Sequence, residues 1–144
     1  MKIYADVCTG SVDCVLIPLL NLDIQVKHTS TDRLHKKIAK ELNALAGVDL
    51  DLSMHSILKD ATHRIEISAR NSKAMFALIL RRRREALGKS HADMARSAGM
   101  HNSYHWSRYE SGKHSPTLRL AEQLLREVGV EMSMVCISVP TQDS

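Results

Sequence analysis

Residues 90–116 read SHADMARSAGMHNSYHWSRYESGKHSP, and this stretch decides the fold of the carboxy-terminal half. Ser90, followed three residues later by Asp93, has the form of a capping box, in which a hydroxyl accepts from a backbone amide and a carboxylate reaches back. A helix is expected from about His91 to Ala98, with Gly99 as its stop and Met100 as an apolar plug behind the turn. A further helix is expected over Asn102 to Tyr109, ahead of Glu110-Ser111-Gly112-Lys113.

Outward from this stretch the helical period continues on both sides. Met75, Leu78, Ile79 and Leu87 predict a helix that starts near Ser72, carries Arg81 to Arg84 and ends at Gly88. On the other side, Pro116 is expected to begin a helix whose buried stripe is Leu118, Ala121, Leu124, Leu125 and Val128, with Gly129 as its stop. Glu131 to Val139 alternates as a strand that Pro140 closes, a candidate for pairing with a second copy. Two short helices joined by a glycine turn, the second carrying polar and aromatic residues, form the helix-turn-helix geometry that sets one helix in the DNA major groove.

The amino-terminal part reads differently. Lys2 to Cys8, Val12 to Pro18 and Ile24 to Lys27 have strand character, with Thr9-Gly10-Ser11 as a turn. Leu34, Ile38, Leu42 and Leu45 then recur at helical spacing, with Ser30 or Thr31 as a cap and Gly47 as a stop. Residues 48–62 read as a less regular connection before a fourth strand at Arg64-Ile65-Glu66-Ile67. The expected fold class is α+β, a small antiparallel sheet with one helix followed by an all-α helix-turn-helix domain and a terminal strand. The division is placed at residues 1–63 and 64–144. A sheet this small is expected to gain from dimerisation.

The charge distribution follows that division. The net charge of +4 over 144 residues is an average: residues 1–63 carry −1, residues 64–119 carry +8 and residues 120–144 carry −3. A basic module beside a near-neutral one points to a polyanion for the first and another kind of partner for the second. No apolar run approaches the length needed to span a membrane, and no secretory leader is evident, so a cytoplasmic location is expected. Cys8, Cys14 and Cys136 form no CxxC pair and read as small hydrophobes in a reducing compartment. His101 and His105 share a helical face without a third ligand nearby, so no metal site is expected. GxSxG, HExxH and glycine-rich phosphate loops are absent, and Asp6, Asp13 and Asp23 make no obvious metal-binding set, so neither enzymatic activity nor a cofactor is expected.

The stretch from Arg82 to Val130 resembles the phage-repressor type (Cro/repressor, Xre-like) helix-turn-helix family in Ser90, Ala95, Gly99 and the run Ser107-Arg108-Tyr109-Glu110-Ser111-Gly112-Lys113-His114-Ser115-Pro116. It departs in having one residue more between Gly99 and Gly112 than the commonest spacing, and His91 where that family often has Gln. The order of elements over the whole chain resembles HicB-type antitoxins, though the Pro-Gly-Cys turn common after that family's second strand is absent here. The second resemblance implies a partial ribonuclease-H-like amino-terminal fold without catalysis that occupies a small basic toxin. It also implies a homodimer that binds the operon's own promoter.

Affinity for duplex DNA comes from cations and helix-end amides, and sequence choice from side chains at base edges. Asn102, Ser103, Tyr104, His105 and Arg108 are the candidates for base edges, although Asn102 also reads as a helix cap. Ser90, His91 and Lys113, at helix ends, are candidates for phosphate, with Arg82 and Arg83 because four consecutive arginines cannot all face one way. Trp106 and Tyr109 are expected to face the core, following the family pattern. Two other readings stay open: a phage-type repressor without a toxin, and an interaction adaptor whose helix-turn-helix, with its extra turn residue, does not bind DNA.

Overall fold

The computed structural model describes residues 1–8, 13–27 and 30–132. Among these, five strands form one sheet: β1 (Lys2–Cys8), β2 (Asp13–Ile17), β3 (Leu22–Val26), β4 (Leu52–Lys59) and β5 (Thr62–Ala69). The helices are α1 (Thr31–Ala46), α2 (Ser72–Ala86), α3 (His91–Ser97), α4 (Ser103–Glu110) and α5 (Leu118–Glu127), with a single 3-10 turn at Pro18–Leu20. The architecture is α+β. Among the described residues no helix is long and apolar enough to cross a membrane. The expected terminal strand lies almost wholly outside the described residues, and Glu131 and Met132 are not strand.

The strand order is β3-β2-β1-β5-β4, and every neighbouring pair is antiparallel. Period-two alternation buries Ile3 and Ala5 of β1, Val15 and Ile17 of β2, Ile24 and Val26 of β3, and Ile65, Ile67 and Ala69 of β5 on one face. The other face carries cross-strand ion pairs, Lys2 to Glu66 at 2.8 Å and Arg64 to Asp6 at 3.2 Å, with the Arg64 guanidinium over the Tyr4 ring.

Two expectations for this half are corrected. Residues 48–62 are not an irregular connection, because they contain β4 and the start of β5, joined through Asp60-Ala61 with Asp60 in the left-handed region at φ 56°. Asparagine and aspartate tolerate that conformation in a short hairpin. The last strand is also longer than residues 64–67, so the expected boundary between residues 63 and 64 falls inside β5. Before β4 the chain is tied down by polar contacts: Leu50 N–H donates to Asn43 Oδ1 at 2.9 Å, and Asn71 Nδ2 donates to the Asp49 carbonyl at 3.0 Å.

Helix α1 buries Leu34, Ile38 and Leu42 and ends on Gly47, whose φ of 71° is the left-handed stop that glycine favours. Helix α2 buries six consecutive residues, Met75 to Leu80, which no single helical face can do. It is enclosed because the sheet unit lies on one side and the carboxy-terminal helices on the other, and the buried apolar residues of both join in one cluster.

The four arginines that follow explain how the parts are held. Arg81 donates to the Leu45 carbonyl in the last turn of α1. Arg82 Nε donates to the Leu20 carbonyl at 2.9 Å, closing the 3-10 turn, and its Nη2 to the Asn21 carbonyl at 2.9 Å. Arg83 Nε donates to the Val128 carbonyl at the end of α5 at 3.2 Å. Carbonyls at helix ends lack partners within the helix and carry the negative pole of its dipole. Three successive guanidiniums thus close three helical ends.

Candidate nucleic-acid interface

Helix α3 starts on the capping box expected from sequence. Asp93 N–H donates to Ser90 Oγ at 3.1 Å and Ser90 N–H donates to Asp93 Oδ2 at 3.0 Å. The Ser90 backbone and side chain, with Arg96 and Lys89 nearby, hold the Asp93 carboxyl below its ordinary range. At the other end Met100 N–H returns to the Ala95 carbonyl at 2.8 Å around Gly99, whose φ is 72°. Met94 and Ala95 are buried, and Met100 packs partly on the same core.

Helix α4 is capped by Asn102, whose side-chain oxygen accepts from the His105 N–H at 3.3 Å. Trp106 is fully buried and Tyr109 is half-buried against the core, as the family pattern implied. Glu110, one residue beyond the expected end of this helix, is its last residue and is the polar anchor of the unit. Its carboxylate accepts from Arg84 Nε at 2.8 Å and Nη2 at 3.1 Å, and from the Trp106 indole N–H. It also lies 3.3 Å from His91 Nε2. Sequence reading missed Glu110 and Arg84 in this role. The signal was the i, i+4 spacing of Trp106 and Glu110, which places an indole donor beside a carboxylate.

With Trp106 buried, α4 exposes Ser103 and Tyr104, with Ser107 and Arg108 half-buried beside them. Tyr104 is 64% exposed, and the Arg108 guanidinium stands over its ring at 5.9 Å. Arg108 Nη2 is 3.4 Å from His114 Nδ1 in the following loop, and its Nε has no hydrogen-bond partner among the described residues. His105 lies half-buried beside this face, with its ring edge-on to Tyr104 and to His101. Lys113 follows exposed in the loop after α4.

The sequence-selected residues therefore divide. Ser103, Tyr104, His105, Arg108 and Lys113 cluster on and just after α4, and Asn102 is at its first turn with its oxygen engaged as a cap. Ser90 and His91 sit at the start of α3, His91 turned to Glu110. Arg82 and Arg83 are apart, committed to the Leu20, Asn21 and Val128 carbonyls. Among the described residues no group of three or more His, Cys, Asp or Glu is arranged to hold a metal ion.

Helix α5 differs from expectation at its start. Thr117, not Pro116, marks its beginning as the cap, accepting from the Leu120 N–H at 3.2 Å. Ala121, Leu124, Leu125 and Val128 are buried, but Leu118, at the first helical position outside the packed turns, is 58% exposed.

No curated protein matches the chain. Residues 76–133 match the family model described as a helix-turn-helix domain, so the carboxy-terminal half of this chain carries such a domain.

Proposed function

We propose that this chain is a DNA-binding transcriptional repressor acting in the cytoplasm, and that its operator is a palindrome read by a homodimer. The observation that carries the reading is the face of α4 on which exposed Tyr104 and half-buried Arg108 lie together over a buried Trp106, within a module of net charge +8. Arg108 supplies paired donors suited to a guanine edge, and Ser103, Tyr104 and His105 supply further polar contacts in reach of bases or phosphates. Ser90, His91 and Lys113 flank the helix ends where backbone phosphates lie. A single such helix reads only a few base pairs, so two copies on symmetric half-sites are required.

The sheet unit is assigned to a protein partner. In this reading the chain is the antitoxin of a toxin–antitoxin pair that neutralises a small basic toxin and represses its own operon. Support comes from the element order and from the near-neutral charge of residues 1–63, which sets them apart from the basic module. No catalytic step is assigned to the chain.

The test is fluorescence anisotropy of the purified chain on labelled DNA from upstream of its own gene, over a series of salt concentrations. Binding that weakens steeply with salt and prefers that DNA over a scrambled duplex is expected. Binding that is absent at low salt would remove the repressor reading in favour of an adaptor. Co-purification with the product of an adjacent reading frame for a small basic protein tests the antitoxin part, and absence of such a neighbour favours a phage-type repressor.

A further inference from the structure

Cys8 is the last residue of β1 and Cys14 lies in β2, and the register sets them directly opposite each other. Opposed residues of an antiparallel pair hold their α-carbons about 4.5–5.5 Å apart, within the range of about 4.4–6.8 Å that a disulfide spans. Both side chains also share a face. Ile3, Ala5, Val15 and Ile17 point into the core, so the even-numbered positions of both strands lie on the outer side of the sheet. Both thiols are free and partly exposed, and a hydrogen bond joins them. Partial burial and the neighbouring Cys8 thiol push the Cys14 thiol up, as do the carboxylates of Asp23 and Asp13.

We propose that Cys8 and Cys14 form a cross-strand dithiol that a peroxide converts to an intrachain disulfide, a modification site separate from the DNA-binding face. The thiolate of Cys8 attacks one peroxide oxygen. A sulfur–oxygen bond forms, the oxygen–oxygen bond breaks, and hydroxide leaves to take up a proton as water. Cys14, as thiolate, then attacks the Cys8 sulfur, forming the sulfur–sulfur bond and expelling the oxygen as a second water. Two thiols are oxidised and one hydrogen peroxide is reduced to two waters. The product staples the end of β1 to the start of β2, and a small dithiol reverses it by exchange.

The test treats the full chain, and a Cys136→Ser chain, with a slight excess of hydrogen peroxide. Remaining thiols are blocked with iodoacetamide, and digestion before aspartate is followed by mass spectrometry. The expected product in both chains is the fragment that starts at Asp6 joined to the fragment that starts at Asp13. In a glutathione redox buffer the bond should form at about tenfold greater equilibrium extent in the folded chain than in guanidinium, because strand pairing already holds the two sulfurs together. The proposal is overturned if Cys8 and Cys14 stay alkylated, if either joins Cys136 or a second chain instead, or if folded and unfolded chains oxidise alike.

Discussion

Arg84 and Glu110 lie side by side, with Arg84 Nε 2.8 Å from Glu110 Oε2 and Nη2 3.1 Å from Oε1. The Glu110 side chain is 5% exposed and that of Arg84 15%, so this is a paired charge withdrawn from water. Arg84 also donates from Nη1 to the Lys89 carbonyl at 2.9 Å, and Glu110 accepts from Trp106 and faces His91. One carboxylate thereby joins α2, the start of α3 and both ends of the Trp106 turn of α4. The orientation of α4, and with it the direction in which Tyr104 and Arg108 project, depends on this contact.

Deleting either member should therefore be severe. Removing one partner of a buried ion pair leaves the other charge unpaired, at a cost of about 3–5 kcal/mol. Glu110→Ala and Arg84→Ala are each expected to lose stability on that scale in urea unfolding. The Arg84→Ala/Glu110→Ala double variant should lose little more than the worse single, because the two act as a unit. Additive losses would show that the groups stabilise the domain independently.

Arg82 and Arg83 should behave as structural residues in spite of their charge. Each donates to carbonyls at a helical end, and a hydrogen bond involving a charged group contributes about 1.5–3 kcal/mol. Arg83→Ala is expected to lower the unfolding free energy measured in urea by about 1.5 kcal/mol. The slope of log affinity against log salt on operator DNA should stay as in the parent. A slope that became shallower by about one unit would instead place Arg83 on a phosphate.

These arginines also show what the sequence could and could not convey. Helical period and capping chemistry were local signals, and Ser90, Asp93 and Gly99 lie where they pointed, while Trp106 is buried as the family resemblance implied. What Arg82 and Arg83 touch is decided by residues 62 and 45 positions away, and no local pattern encodes that. Strand β4 was missed for a related reason. It lies at the sheet edge and carries Leu52, Met54, Ile57 and Leu58 on both faces, so its alternation is weak, and its hairpin turn, Asp60-Ala61, lacks glycine. On α4, the sequence located the helix but not which of its side chains are engaged within the fold. Asn102 reads equally as cap or reader until its oxygen is found on the His105 N–H.

On α4, base contact and phosphate contact should separate in mutants. Arg108→Ala is expected to weaken operator binding by about 1–3 kcal/mol and to relax preference at one base pair, as loss of a bidentate contact does. Lys113→Ala should instead weaken all duplexes alike and reduce the salt slope by about one for each copy of the chain bound. Competition assays with single-base operator variants at two salt concentrations distinguish these outcomes. Uniform weakening by Arg108→Ala would place its guanidinium on the backbone.

Far from α4, a histidine gives stability a dependence on pH. His35 on α1 lies 2.9 Å from Ser56 Oγ through its Nε2, and His63 Nε2 reaches the same oxygen from β5 at 3.1 Å. Burial lowers the His35 pKa from its ordinary value, opposed by Asp32 one turn earlier and assisted by His63 and by His55. A lowered histidine pKa means that the folded chain favours the neutral ring. Its contribution is complete above the unfolded value of about 6.5 and is lost as pH falls below that value toward the folded one. The urea midpoint should thus decline from about pH 7.5 to 5.5, and His35→Gln, which keeps a hydrogen-bonding group for Ser56 but cannot take up a proton, should flatten that decline. An unchanged decline in His35→Gln would assign it to other titrating groups and leave His35 with packing alone.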